Sequence, residues 1–263
     1  MRKPFFVYAI LFLVVLYLPV ALLPLFSLNA SVNPSFPLSG FTFEWYEDLA
    51  RQSAMFEALK NSLIVGVTAA AVSTTLGMLV ALATVRHRFP GMAPVNALIM
   101  SPLVLPQILL AVSLMILALQ TGIGLSLMTV TAGHILLCTP FTTVVLRASC
   151  GGMDGSLEEA SYDLGYSPFA TFLHVTLPLL APGLVASFLI AFTLSFDEFI
   201  VAFFLSGSEP TLPLYIWGQL RFPQRLPAIL ALGTIILFSS VMLLLLALRL
   251  LGRSSAGKDL DLS

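Results

Sequence analysis

From Phe89 to Leu146 the chain runs for 58 residues without one Asp, Glu, Lys or Arg. A soluble domain carries about one charged residue in four, so this stretch has nothing with which to face water. It is long enough for two membrane-crossing helices of about 20 residues each. The rest of the chain agrees, with 58% hydrophobic and 10% charged residues and a mean hydropathy of +1.00. The expected fold class is all-α, a polytopic membrane protein with six transmembrane helices in a single domain, 1–263. A net charge of −1 carries no nucleic-acid footprint, which needs Lys and Arg clustered on one face.

The spans follow from where charge and turn chemistry interrupt the apolar runs. Phe5 to Phe26 is uncharged, follows Arg2 and Lys3, and exceeds the 7 to 15 residues of a signal-peptide core, so it reads as an uncleaved first span. Asn61 to Val85 makes the second span, stopped by Arg86, His87 and Arg88. The long uncharged run divides at Gln120 to Gly124, where two glycines permit a turn. That places a third span at Pro94 to Leu119 and a fourth at Leu125 to Leu146. Pro102, Pro106 and Pro140 each remove a backbone donor, so kinks are expected there. The fifth span is Pro182 to Leu205 and the sixth Pro227 to Leu248, with a polar outer loop, Ser206 to Leu226, between them. The short polar tail from Arg249 to Ser263 reads as disordered.

Counting Lys and Arg on alternate sides gives eight (Arg2, Lys3, Arg86, Arg88, Arg147, Arg249, Arg253, Lys258) against four (Arg51, Lys60, Arg221, Arg225). The positive-inside rule then puts both termini in the cytoplasm. In the first outer segment, Thr42 followed by Glu44, Glu47 and Asp48 predicts a short helix with Thr42 as its N-cap. Trp45 and Tyr46 suit either a lipid-interface belt or the mouth of a substrate path.

Catalytic chemistry finds no purchase. Gly252, Gly257 and Lys258 approach a phosphate-binding loop, but Asp259 stands where a hydroxyl is required. Cys138 and Cys150 form neither a disulfide framework nor a zinc pattern. His134 is the one ionisable side chain in the uncharged run and reads as a packing histidine or, less simply, a proton relay. No metal site is expected.

Asp197 and Glu198 are the costliest side chains, because an ionised carboxylate at a helix centre costs about 2.5 to 3.5 kcal/mol to insert. A continuous helix would place Glu198 roughly 11 Å below the end of the span at Leu205. A water-filled cavity there would offset the cost. The pair serves either helix-to-helix hydrogen bonding or the attraction of a cationic solute, with Ser195 and Gln107 as further polar groups.

The longest polar interruption of the second half is Ser156 to Pro182, which makes up most of a loop of about 147–181. Ser156 with Glu159 predicts a capping box, and Gly165 a helix stop with positive φ. Leu157, Ala160, Ser161 and Leu164 share one face of the helix between them. Glu158, Glu159 and Asp163 flank it. Ser167-Pro168 starts a second helix that Leu177-Pro178 ends. Such a helix either docks a partner or lies on the protein's own spans.

Glu159-Ala160-Ser161, three residues, Gly165, nine residues and Val175-Thr176-Leu177-Pro178 resemble the EAA loop of ATP-binding-cassette importer permeases. Trp45-Tyr46, Met100-Ser101-Pro102, His134 with Cys138, Leu194 to Glu198 and Leu212-Pro213-Leu214 are most similar to the spermidine/putrescine branch. Two positions depart from that branch: Gln107 stands where an acidic residue is usual, and Glu198 where Asp is common. The resemblance implies a type I importer permease fold in a bacterial inner membrane. It implies no cofactor on this chain, MgATP being bound by a cytoplasmic ATPase present in two copies. Further partners are a second permease subunit, giving a heterodimer, and an extracytoplasmic solute-binding protein. Glu158, Glu159, Ala160, Ser161 and Gly165 would couple to the ATPase. Trp45, Gln107, Ser195, Asp197 and Glu198 would line the path of a polyamine or related cationic amine. The competing function is a proton-coupled secondary transporter relaying protons through Asp197 and Glu198.

Overall fold

The structure, a computed structural model, describes residues 2–86 and 90–256, with side chains for 5–86 and 90–242. His87 and Arg88, the side chains of Arg249 and Arg253, and the near phosphate loop at Lys258 lie outside the described residues. Among the described residues the regular structure is all helical, with one isolated β-bridge between Asn29 and Phe41. It divides into two compact units, Met1–Met55 with Ile216–Ser263, and Phe56–Tyr215.

The first unit holds α1 (Arg2–Ser27), α2 (Glu44–Ala50) and α12 (Leu226–Ala256), with α12 packed on both of the others. Helix α12 carries the expected sixth span, and it continues to Ala256 where a disordered tail is expected from Arg249. Between α1 and α2 the chain folds on Asn29, whose buried Oδ1 accepts from the amide and hydroxyl of Ser39. The expected N-cap of α2 shifts by one residue, to Phe43. Thr42 is held outside the helix because its amide bonds to Leu28 O, and its hydroxyl accepts from the amide of Glu44 instead.

The second unit contains most of α3 (Ser53–Arg86), then α4 (Met92–Val104), α5 (Gln107–Gln120), α6 (Leu127–Gly151), α7 (Ser156–Asp163), α8 (Pro168–Thr171), α9 (Leu177–Phe196) and α10 (Ile200–Leu205). Small residues let its long helices approach. A Cβ on Gly77 would lie 2.4 Å from Thr142 Oγ1, and one on Gly183 would lie 2.3 Å from Ser149 Oγ. Thr142 also donates to Ser73 O at 2.7 Å, tying α6 to α3.

Hydrogen bonds define two opposite ends of this unit. At one end Arg147, near the end of α6, donates to Thr84 of α3 and to Asn96 of α4, and Arg86 at the end of α3 pairs with Glu158 of α7. At the other end Asn61 and Ser62, toward the start of α3, bond to Pro210 O and Leu212 N. Thr129 at the start of α6 reaches Leu205 O at the end of α10.

Three further elements differ from the sequence expectation. The third span is not a kinked helix but a pair, α4 and α5, bent by 107°. Pro106 drives Leu105 into extended backbone (φ −76°, ψ 136°), and the chain turns there. Because α4 starts at the Arg147 end and α5 leads into α6 at the Thr129 end, the pair crosses the unit once. The fifth span does not run unbroken from Pro182 to Leu205: α9 stops at Phe196 and α10 starts at Ile200. In the other direction it continues back through Leu177-Pro178, the expected end of the preceding helix. A π-helical turn over Phe172–Thr176, closed by the Leu177 amide on Phe172 O, joins α8 to α9, and Pro178 falls in the first turn of α9, where no amide donor is needed. Finally, the outer loop contains α11 (Leu212–Gln219), whose Pro213 sits in a first turn that needs no amide donor.

Candidate functional site

The break between α9 and α10 builds a recess. Glu198 falls in it, and both carboxylate oxygens are engaged. Oε1 accepts the Val201 amide at 3.1 Å in the first turn of α10, and Oε2 accepts Gln107 Nε2 at 2.6 Å. Gln107 is the first residue of α5, so the proline break in one span and the break in another deliver the two partners to one place. Across α6 and α9, His134 Nδ1 lies 2.7 Å from Ser195 Oγ. One turn away, Cys138 Sγ contacts Ala191 O at 3.5 Å. Gln107, His134, Cys138, Ser195 and Glu198 all line a cavity of about 100 Å³, closed on its apolar side by Leu137, Phe141 and Leu194. His134 is 1% exposed, and its Nε2 has no hydrogen-bond partner.

Of the sequence-predicted path residues, Gln107, Ser195 and Glu198 meet here. Asp197 is exposed beside the recess and does not line it. Trp45 belongs to the other unit, where its Nε1 donates to Asn29 O at 2.7 Å and its ring edges a cleft with Glu44, Glu47, Asp48 and Arg51. Tyr46 is pinned likewise, its hydroxyl 2.6 Å from Ser27 Oγ. Among the described residues no group of His, Cys, Asp and Glu could hold a metal ion.

The second site is α7 and its surroundings. Gly165 ends the helix at φ +86°, with Tyr166 N bonded to Ser161 O and Gly165 N to Tyr162 O, a Schellman closure. The expected capping box does not form: Gly155 is the N-cap and Ser156 the first helical residue. Asp154 intervenes, its Oδ1 accepting the Ser156 amide at 3.0 Å. That backbone bond, with a further one from the Ser156 side chain, holds the Asp154 carboxyl below the usual aspartate range.

The two glutamates of α7 face different ways. Glu158 turns inward, 3.1 Å from Arg86 Nη2, and accepts from Thr176 Oγ1 at 2.7 Å in the π-helical turn. Glu159 is exposed. Ser161 is buried, its Oγ 2.9 Å from Thr171 Oγ1, whereas Leu157, Ala160 and Leu164 remain exposed, Leu164 to 80%. Four of the five candidate coupling residues therefore sort into outward (Glu159, Ala160) and inward (Glu158, Ser161) pairs. A cleft of about 590 Å³ runs beside them, lined by Arg86, Glu158, Glu159, Tyr162, Phe172 and Thr176 among others. The sequence reading missed Arg86 and Thr176. Arg86 had been counted only as a topogenic charge, and nothing local in the sequence joins it to a residue 72 positions away.

Residues 73–255 match the family described as "Binding-protein-dependent transport system inner membrane component". The chain is 35% identical over 230 residues to the putrescine transport system permease protein PotI of Escherichia coli K12, covering 84% of this chain and 81% of that protein. It is 34% identical over 231 residues to the spermidine/putrescine transport system permease protein PotC of the same strain, covering 88% and 87%. A PotC homolog from Mycoplasma pneumoniae is 29% identical over 94% of this chain. In fold it is similar to a chain from the crystal structure of a bacterial ABC transporter involved in the import of the acidic polysaccharide alginate. The TM-score is 0.73 at 16% identity, with 92% of this chain and 96% of that one covered.

Proposed function

Because this chain belongs to the family of binding-protein-dependent transport system inner membrane components, we propose that it is the membrane-spanning permease subunit of an ATP-driven importer for polyamines or a closely related cationic amine. The observation that carries the solute class is the agreement between two independent facts. The 34% and 35% identical relatives are named for spermidine and putrescine, and the recess at the α9–α10 break offers a carboxylate, Glu198, to a cation. Asp197 beside it adds a second negative charge at the exposed rim.

In this reading the chain pairs with a second permease subunit, and two copies of a cytoplasmic ATPase bind and hydrolyse MgATP. An extracytoplasmic binding protein delivers the solute. The exposed face of α7, with Glu159, Ala160 and Leu164, is the surface the ATPase would grip. The inward face, with Glu158 and Ser161, carries its movement to α3 and α9. This is rigid-body coupling between a docking element and a gated path. The secondary-transporter alternative loses its footing, since dependence on a binding protein defines the family.

Reconstitution into proteoliposomes with the ATPase and the binding protein tests the proposal. Uptake of labelled putrescine should require both ATP and the binding protein. Gly165→Pro should abolish solute-stimulated ATP hydrolysis, because it removes the left-handed turn that closes α7. Uptake driven by a proton gradient alone, without ATP, would overturn the assignment.

A further inference from the structure

The buried residues from Thr176 through α9 are Thr176, Leu180, Gly183, Ser187, Ala191 and Ser195, three or four positions apart, as on one face of an α-helix. The preceding buried residue, Thr171, is five positions before Thr176. In an unbroken α-helix a residue five along sits roughly 140° round the axis, so these two threonines would face different ways. The π-helical turn between them, with its i→i+5 bond from Leu177 N to Phe172 O, absorbs the extra residue and puts both on one face. That face meets α7. Thr171 Oγ1 lies 2.9 Å from Ser161 Oγ, and Thr176 Oγ1 donates to Glu158 Oε1 at 2.7 Å. Glu158 and Ser161 are themselves neighbours one turn apart on α7, so two adjacent side chains on one helix are matched to two on the other. An α-helix without the π turn would bring Val175 to Glu158 in place of Thr176, and the carboxylate would lose its hydroxyl donor.

We propose that Thr176 is the positioning residue that couples α7 to α9, and that the π-helical turn is the joint that sets its register. The inference rests on the importer reading, in which the ATPase grips the exposed face of α7, and it names how that grip reaches the recess. Ser161 and Thr171 tie α7 to α8, on the near side of the joint. Thr176 is the last residue of the turn, and its bond to Glu158 ties α7 to the far side. From there α9 runs 20 residues, about 30 Å, without a break. Gly183 packs α9 against Ser149 of α6 so closely that an added Cβ would lie 2.3 Å from Ser149 Oγ, and the same buried face ends at Ser195 in the recess. A helix held this way moves as one rod. Arg86, 3.1 Å from Glu158, keeps the carboxylate aimed from the α3 side. Loss of the Thr176 hydroxyl alone therefore leaves α7 held to α3 and α8 but disconnected from α9.

The test is ATP hydrolysis by the reconstituted complex, with and without putrescine or spermidine delivered by the binding protein. Thr176→Val keeps the branched shape and removes the hydroxyl. Solute-stimulated hydrolysis should fall about ten-fold or more, the scale of one hydrogen bond to a charged group, while assembly, unstimulated hydrolysis and Tm stay near native. Thr176→Ser should restore the stimulation. A merely structural residue would instead lower Tm and both rates together, and that result would overturn the proposal. Deleting Leu173, which is 41% exposed, tests the joint. It brings Thr176 four positions after Thr171, where a plain α-helix sets both against α7, so stimulation should survive. Native stimulation in Thr176→Val, or its loss in an assembled complex lacking Leu173, would overturn this inference alone. A native complex that neither amine stimulates would overturn the importer reading of the solute, and the coupling route with it.

Discussion

Glu198 shows what a single residue can and cannot declare in a sequence. Two carboxylates in an apolar run announce a solvation problem, and that problem was legible. Its solution was not, because neither Pro nor Gly marks the break at 197–199, and the Gln107 amide comes from 91 positions away. The close-packed glycines are the converse case, invisible by local pattern yet decisive in contact. At Gly77 a Cβ would meet Thr142 Oγ1 at 2.4 Å and the Thr142 backbone carbon at 2.9 Å, and backbone cannot step aside. Gly77→Leu should therefore destabilise the protein by about 1 to 3 kcal/mol or more, seen as a fall in Tm of the detergent-solubilised protein. Gly233→Ala in α12 is the control. A Cβ there meets nothing within 4 Å, so the change should be neutral or stabilise by up to about 1 kcal/mol through helix propensity.

At the scale of elements, α7 was legible in its body and its stop, and misread at its start. Gly165 behaves as its position demands, because only a residue free to take φ near +86° lets Tyr166 N reach Ser161 O. The capping box failed through competition: Asp154, two residues upstream, already satisfies the Ser156 amide, and Glu158 and Ser161 face inward to Arg86 and Thr171. The Arg86–Glu158 pair is mostly buried, with side chains 24% and 17% exposed. Removing either partner leaves a charge short of its counterion, and Arg86→Ala with Glu158→Ala together should cost less than the sum. A double-mutant cycle on thermal stability should give a coupling of about 1 to 3 kcal/mol; additivity would mean the pair contributes nothing. Asp154 supplies the pH dependence. Its folded pKa lies below the ordinary value, so its contribution is present at neutral pH and lost as pH falls through the folded value. Amide exchange at Ser156 should rise there, and Asp154→Asn should remove that step.

For the whole molecule the open quantity is the number of crossings. Five described helices are long and apolar enough to span a membrane, and the bent pair α4 and α5 makes a sixth only if it crosses once. Contacts decide this where composition cannot. Arg86 at the end of α3 pairs with Glu158, just beyond the end of α6, so the two helix ends lie on one side. One crossing by α6 requires one compensating crossing between Arg86 and Leu127, and only α4 with α5 is there to make it. The same parity holds for α9 with α10, which together lead from α7 to Pro210, bonded to Asn61 near the start of α3. The bent pair then brings the candidate spans among the described residues from five to six, the number expected from the sequence. Single cysteines can test this against little background, because Cys138 and Cys150 are both buried. Glu159→Cys and Glu209→Cys place thiols at exposed positions on the two sides. A membrane-impermeant maleimide should label Glu209→Cys in intact cells and Glu159→Cys only after lysis. Labelling of both from outside would mean that α9 and α10 re-enter the membrane instead of crossing it, and would overturn the proposed coupling of α7 to a cytoplasmic ATPase.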